Sequence, residues 1–137
     1  MLDTHVWVWS VDGDTRRIGR RSRQLLRRAE SRSAIRVSPM AIFELAALCT
    51  LGRVRLARSL DQWVRDALET AGVRIAELTP AIALDAGAIP RSVLADPLDR
   101  LLVATARQLD AVFLTSDRRI LDYASATGNV RVQDAGS

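Results

Sequence analysis

The strongest constraint on the fold is the alternation of short apolar segments with helical segments along the 137 residues. The clearest unit is a helix that opens at Asp96-Pro97, runs to Leu109 and leads into the apolar segment 111–115. An aspartate N-cap followed by proline is a strong signal for the start of a helix. Strands separated by helices, with connections of a few residues, predict an α/β fold with a mostly parallel sheet.

The other segments continue this alternation, and the length is that of one domain, so we expect a single domain over residues 1–137. Short apolar segments predict the strands, and caps, prolines, closing glycines and helical spacing of apolar residues predict the helices. The predicted strands are 1–3 (only the end of a very short strand), 34–38, 73–78, 111–115 and 129–132. The predicted helices are 5–10, 15–32, 39–51, 59–71, 80–88, 96–109 and 118–124.

The composition excludes several kinds of chemistry. All 20 basic residues are arginine, which excludes phosphate-loop NTPases, kinases and Schiff-base enzymes, because each needs a lysine. His5 is the only histidine and Cys49 the only cysteine, so neither a standard zinc site nor an intrachain disulfide can form. The residues that remain in quantity for catalysis are the 16 aspartates and glutamates.

Arginines are concentrated between Arg16 and Arg36. That stretch has nine arginines and one acid, Glu30, a net charge of +8, and because the whole chain carries +4 the remainder carries −4. Such a segment indicates either a polyanionic partner or a solvated helix face. No apolar run is long enough to span a membrane, and the first residues lack the pattern of a signal peptide, so we expect a cytoplasmic protein.

Several carboxylates fall where strands of a parallel sheet end. Asp3 ends the first segment, Asp117 follows segment 111–115, and Asp96 and Asp99 open the helix that leads into it. Ligand sites in such sheets lie beyond the carboxyl ends of the strands. Glu44 lies inside an apolar helix, where a carboxylate is unfavourable unless it is paired.

Each of these acids also has a possible local role. Asp96 and Asp117 can cap the helices that follow them, Asp99 can complete a capping box, and Asp3 can be a turn residue. A cluster of acids at one end of a sheet nevertheless needs a hard cation, and oxygen ligands suit Mg²⁺ or Mn²⁺. Without a catalytic histidine or lysine, this pattern indicates metal-assisted attack of water on a phosphodiester.

Four motifs then resemble, in order, those of PIN domains, and especially of the VapC-like ribonuclease toxins of toxin–antitoxin pairs. They are Leu2-Asp3-Thr4-His5, Ile42-Phe43-Glu44-Leu45, the segment from Asp96-Pro97-Leu98-Asp99-Arg100 to Ala106, and Leu114-Thr115-Ser116-Asp117.

This resemblance implies a Rossmann-like three-layer α/β/α sandwich and an endoribonuclease that depends on Mg²⁺ or Mn²⁺. It also implies an RNA substrate, a cognate antitoxin and a homodimer. Carried over by motif, the acidic pocket comprises Asp3, Glu44, Asp99 and Asp117, with Asp3, Asp99 and Asp117 as metal ligands. Four neighbours complete the implied site: Thr4 and Thr115 as pocket hydroxyls, Asp96 as a nearby acid or N-cap, and Arg100 as an ion-pair partner or phosphate contact.

The chain departs from the family pattern at its start. Only Met1 and Leu2 precede Asp3, whereas family members usually have several apolar residues there, so we expect the central strand to be nearly absent. This departure bears on stability more than on catalytic identity.

Two other functions remain open. One is a nucleic-acid-binding module or degenerate PIN domain without catalysis; convergence of the four acids would argue against it. The other is a haloacid-dehalogenase-type phosphohydrolase. It is disfavoured because such enzymes need a second aspartate two residues after the nucleophile, where this chain has His5, and because the chain has no lysine. For the arginine-rich segment we favour a surface for the antitoxin or second subunit over an RNA contact, with apolar candidates Trp7, Trp9, Ile18 and Leu25.

Overall fold

The computed structural model describes all residues, 1–137, and contains seven helices and four three-residue strands. The helices are α1 (Thr4–Val11), α2 (Arg20–Ser31), α3 (Pro39–Thr50), α4 (Leu60–Glu69), α5 (Pro80–Ala88), α6 (Pro97–Gln108) and α7 (Arg118–Thr127). The strands are β1 (Ile35–Val37), β2 (Val73–Ile75), β3 (Phe113–Thr115) and β4 (Val132–Asp134). No helix has the length and apolar character needed to cross a bilayer.

The strands form a parallel sheet joined at its centre by one residue. β1 pairs with β2 and β3 pairs with β4, both in parallel register. Leu2 bridges Val37 on one side and Leu114 on the other, again in parallel. The expected, nearly absent central strand is therefore confirmed.

Two apolar clusters cover the two faces of the sheet. Leu2 and Leu114 belong to a cluster with Trp7 and Trp63, from helices α1 and α4. Their chain neighbours Met1 and Phe113 belong to a second cluster with residues of α6 and α7. Because side chains alternate between the faces of a strand, these two clusters lie on opposite faces, which confirms the predicted layered α/β class.

Helix starts follow the predicted capping signals. The Ser38 hydroxyl accepts a hydrogen bond from the Met40 amide at 3.0 Å, with Pro39 at the first position of α3. Asp96 caps α6 in the same way, accepting from the Leu98 amide at 2.9 Å. The predicted bounds of these two helices agree with the structure to within a residue or two at each end.

The predicted start of the arginine-rich helix was wrong. The helix begins at Arg20 instead of residue 15, because Gly19 is held against the end of the chain. The Gly19 amide donates to the Ala135 carbonyl at 2.8 Å, and the Arg21 amide donates to the Ser137 carbonyl at 2.8 Å. A Cβ at position 19 would lie 2.1 Å from the carbonyl carbon of Ser137, so only glycine fits this approach.

The predicted strands were too long or displaced. β2 ends at Ile75 instead of residue 78, because β1 offers only three residues for pairing. β4 spans 132–134 instead of 129–132, since its register follows β3 (Phe113 opposite Val132).

A cavity of about 680 Å³ lies at the amino ends of the strands. Its lining includes Met1, Ala34, Arg36 and Val112, beside the single-residue centre of the sheet. The Val112 amide and the Ala34 carbonyl make no backbone hydrogen bond there. The cavity is thus at the opposite end of the sheet from Asp3 and Asp117.

Candidate active site

Asp3 follows the single residue at the centre of the sheet and Thr115 ends β3, so the two residues lie next to each other. The Thr115 hydroxyl donates a hydrogen bond to Asp3 Oδ2. The hydroxyl oxygen of Thr115 also accepts a hydrogen bond from the Asp117 amide at 3.0 Å. Thr115 is fully buried, and only 8% of Asp3 is exposed. One hydroxyl therefore fixes both the first and the last of the predicted pocket acids.

Asp3 also caps α1. Its Oδ1 accepts a hydrogen bond from the Thr4 amide at 2.8 Å. Burial raises the pKa of the Asp3 carboxyl, against the hydrogen bonds from Thr115 and Thr4, and the negative charges of Glu44 and Asp117 add to the increase. Asp3 is thus both a capping residue and a member of a group of repelling acids.

Glu44 reaches this group from α3. The buried Thr4 hydroxyl donates to Glu44 Oε2, so the mid-helix carboxylate has the polar partner that its apolar surroundings require. Glu44 is half-buried, and no hydrogen bond engages its Oε1. Thr4 therefore connects the start of α1 to the acid of α3.

Asp99 lies in the first turn of α6 and is 7% exposed. Its Oδ2 is buried and makes no hydrogen bond. Burial raises the pKa of the Asp99 carboxyl to about 7, and repulsion from Asp96 and Asp117 contributes. Asp99 does not complete a capping box, because its carboxylate makes no hydrogen bond with the start of α6. Asp96 alone caps this helix.

Asp117 is the N-cap of α7 and is bound by Arg119. Its Oδ1 accepts from the Arg119 amide at 2.8 Å, and its Oδ2 accepts from Arg119 Nη2 at 2.8 Å. The side-chain hydrogen bond from Arg119 is the main cause of a lowered pKa at Asp117. The same Nη2 lies 3.8 Å from Asp99 Oδ2.

The structure thus brings Asp3, Glu44, Asp99 and Asp117 together at one end of the sheet. Threonine hydroxyls link Asp3 with Asp117, and α1 with Glu44, while one guanidinium nitrogen faces both Asp99 and Asp117. Asp96 stays close enough to repel Asp99.

Arg100 differs from its predicted role as an ion-pair partner. It makes no salt bridge; its Nη2 approaches the Ala95 carbonyl at 3.5 Å, and its buried Nε makes no hydrogen bond. The guanidinium that pairs with the cluster is that of Arg119, which the sequence analysis missed. The available signal was its position two residues after a capping aspartate, where its side chain can turn back to the cap.

The donor set fits a hard divalent cation. All candidate ligands are carboxylate oxygens, and Asp99 Oδ2 is a buried oxygen without a hydrogen-bond donor, which a cation would satisfy. The carboxylates are not already arranged as a set of three metal ligands. Arg119 Nη2 lies between two of them, 2.8 Å from Asp117 Oδ2 and 3.8 Å from Asp99 Oδ2.

Two comparisons with known proteins bear on this site. A family model described as PIN domain matches residues 1–126, a span that contains all four pocket acids. Ribonuclease VapC22 from Mycobacterium tuberculosis (strain ATCC 25618 / H37Rv) is 33% identical over 123 residues, which is 90% of each chain.

Proposed function

The chain belongs to the PIN domain family, and from that premise we propose that it is a metal-dependent endoribonuclease and the toxin of a toxin–antitoxin pair. The likeness to a VapC ribonuclease over 90% of the chain supports RNA as the substrate and a cognate antitoxin as the partner. The proposal extends the PIN domain to residues 1–137 and includes a homodimer in the cytoplasm.

The observation that carries the proposal is the convergence of four carboxylates at one end of the sheet, one of which, Asp99, has a buried oxygen without a hydrogen-bond donor. Repelling acids that share one end of a sheet are unfavourable unless they have a function, and burial of Asp99 adds to that penalty. A non-catalytic nucleic-acid-binding module has no use for such a cluster, so this alternative is less well supported.

In this proposal Asp3, Asp99 and Asp117 hold Mg²⁺ or Mn²⁺. When bound there, such a cation would lower the pKa of a water molecule and offset negative charge on the phosphate. Thr115 holds the Asp3 carboxylate in place through its hydroxyl. Glu44 is fixed by Thr4 through Oε2 and keeps Oε1 available to accept a proton from the attacking water.

The arginines of α2 are the second element of the proposal. Of the four apolar residues predicted for a protein-binding surface, Trp7 and Ile18 are buried, and Trp9 and Leu25 are half-buried. Little apolar area is therefore left for such a surface. Arg20, Arg27 and Arg28 are exposed. We therefore assign these arginines to non-specific attraction of the RNA backbone.

A cleavage assay on total RNA tests the activity. The protein should cleave RNA with millimolar Mg²⁺ or Mn²⁺, and excess EDTA should stop the reaction. RNA binding without cleavage under every metal condition would favour the non-catalytic alternative.

A further inference from the structure

We propose that the Arg119 guanidinium is the resident counter-cation of the carboxylate cluster, and that a divalent cation binds by displacing it. The inference rests on the proposed function, because it concerns how a cation enters that same site. It assigns a regulatory role to Arg119, because the site does not hold a metal ion while Arg119 contacts the acids.

The geometry places one nitrogen between two carboxylates from different helices. Arg119 Nη2 is 2.8 Å from Asp117 Oδ2 and 3.8 Å from Asp99 Oδ2, and Arg119 Nε is 3.3 Å from Asp117 Oδ1. Both oxygens of Asp117 are therefore occupied. A divalent cation shared by Asp99 and Asp117 would need the same oxygens and would repel the guanidinium.

The contact is not required for α7 to form. Asp117 caps the helix through the backbone amide of Arg119, and this hydrogen bond does not involve the guanidinium. The Arg119 side chain is 66% exposed, so it can leave without opening the core. Ion pairs this exposed contribute little to stability, which makes displacement inexpensive.

The contact also leaves Asp99 incompletely satisfied. At 3.8 Å, Nη2 is too far from Oδ2 for a hydrogen bond, and no other donor reaches this buried oxygen. Mg²⁺ binds carboxylate oxygens at about 2.0–2.1 Å and would interact with Asp99 much more strongly. The site therefore has a weak internal cation that a stronger external one can replace.

Arg118 provides a matched control. It is adjacent in sequence, exposed, and makes no salt bridge with any acid. Arg118→Gln changes the net charge by the same amount as Arg119→Gln without touching the cluster. A difference between these two variants therefore reports the contact of Arg119 and not the overall charge.

The test is calorimetric titration of Mn²⁺ into the wild type, Arg119→Gln and Arg118→Gln at low and high salt. Arg119→Gln should bind Mn²⁺ roughly two- to fivefold more tightly than Arg118→Gln, the range expected for loss of one exposed ion pair. The gap should narrow as salt rises, because salt screens the competing ion pair. Arg119→Lys, which keeps the charge but loses the two-nitrogen contact, should lie between them.

Equal affinities of Arg119→Gln and Arg118→Gln, or weaker binding by Arg119→Gln, would overturn the inference while leaving the metal site intact. Absence of Mn²⁺ binding in all variants would instead overturn the proposed metal site and the inference with it. Thermal melts in EDTA supply a second readout: Arg119→Gln should melt below Arg118→Gln, and saturating Mn²⁺ should abolish the difference. A difference that persists in Mn²⁺ would show a purely structural ion pair and contradict displacement.

Discussion

The Thr115 hydroxyl donates a hydrogen bond to the Asp3 carboxylate, joining two residues that are 112 positions apart in the chain. Both residues are buried; Asp3 directly follows Leu2, the central residue of the sheet, and Thr115 is the last residue of β3. This bond ties the position of a pocket acid to the register of β3, so the site is assembled by the fold itself.

Replacing Thr115 with valine should therefore damage both stability and activity. The substitution keeps the branched shape but leaves Asp3 Oδ2 without its donor, which is expected to cost about 1.5–3 kcal/mol of unfolding free energy. Denaturant unfolding and RNA cleavage on the same samples measure the two effects. Thr115→Ser, which keeps the hydroxyl, should retain most of the activity.

Thr105→Val is the matched control for that experiment. Thr105 is equally buried, but its hydroxyl donates to the Leu101 carbonyl of its own helix at 2.7 Å. We expect Thr105→Val to fold and to cleave RNA near the wild-type rate. If Thr115→Val performs as well as Thr105→Val, then the hydroxyl does not organise the site.

The raised pKa of Asp99, about 7, predicts an unusual pH dependence in the metal-free protein. The folded state holds the Asp99 proton more tightly than the unfolded chain, so the free energy of unfolding should rise as pH falls from 8 to 6. Above pH 7 the charged, buried carboxylate is at its most destabilising. Thermal melts in EDTA across this range measure the slope.

Asp99→Asn isolates this contribution. The amide cannot ionise, so the variant should be more stable than the wild type at pH 8 in EDTA, and the gap should close toward pH 6. Mg²⁺ should stabilise the wild type at pH 8 by linkage and leave Asp99→Asn nearly unchanged. A wild type and variant with parallel pH profiles would show that burial of Asp99 does not perturb its ionisation.

Charge reversal on α2 tests the role of the arginine-rich segment. Arg20→Glu, Arg27→Glu and Arg28→Glu together should weaken RNA binding, and each lost phosphate contact should lower the salt slope by about 0.7 for a single strand. The cleavage rate of bound RNA should stay unchanged, because none of these three arginines forms a salt bridge with a pocket acid. Arg23 is left intact, since it donates to the Thr15 carbonyl at 3.1 Å.

The affinity for the antitoxin should be measured on the same triple variant. Unchanged RNA affinity together with weaker antitoxin binding would return the segment to the protein-binding role first favoured from the sequence. No change in either would identify it as a solvated helix face.

The close approach at Gly19 gives a prediction about the fold alone. Gly19→Ala would drive a Cβ into the backbone of Ser137, so we expect a loss of about 1–3 kcal/mol in unfolding free energy. Gly87→Ala in α5 meets nothing within 4 Å and should instead stabilise by about 0.5–1 kcal/mol. Denaturant melts of the two variants should therefore move in opposite directions.

The sequence predicts most of this fold where the signals are local. Ser38-Pro39 and Asp96-Pro97 specify helix starts through caps that involve only neighbouring residues. The start of α2 could not be predicted, because it depends on contact between Gly19 and the last residues of the chain. The lengths of β2 and β4 likewise depend on how many residues their partner strands provide for pairing.

The same distinction between local signals and long-range contacts applies to the site. The sequence places Asp3 and Asp117 at strand ends, Asp99 at a helix start and Glu44 inside an apolar helix. In the structure Thr115 contacts Asp3, and Thr4 contacts Glu44. The contact of Arg119 with Asp99 could not be predicted, because it crosses from α7 to α6 and depends on side-chain direction. Assignment of metal-binding and catalytic roles to these residues is a prediction that the following measurement addresses.

Cleavage of a defined single-stranded RNA by the wild type, Asp99→Asn and Asp122→Asn, as a function of Mg²⁺ concentration, tests the account most directly. Asp122 is an exposed acid of α7 without a salt bridge, so its variant controls for loss of one negative charge. We predict Mg²⁺-dependent cleavage by the wild type and Asp122→Asn, and a loss of at least about 100-fold in Asp99→Asn, which still folds. Wild-type cleavage by Asp99→Asn, or cleavage that persists in EDTA, would contradict the assignment of this carboxylate cluster as a metal-dependent nuclease centre.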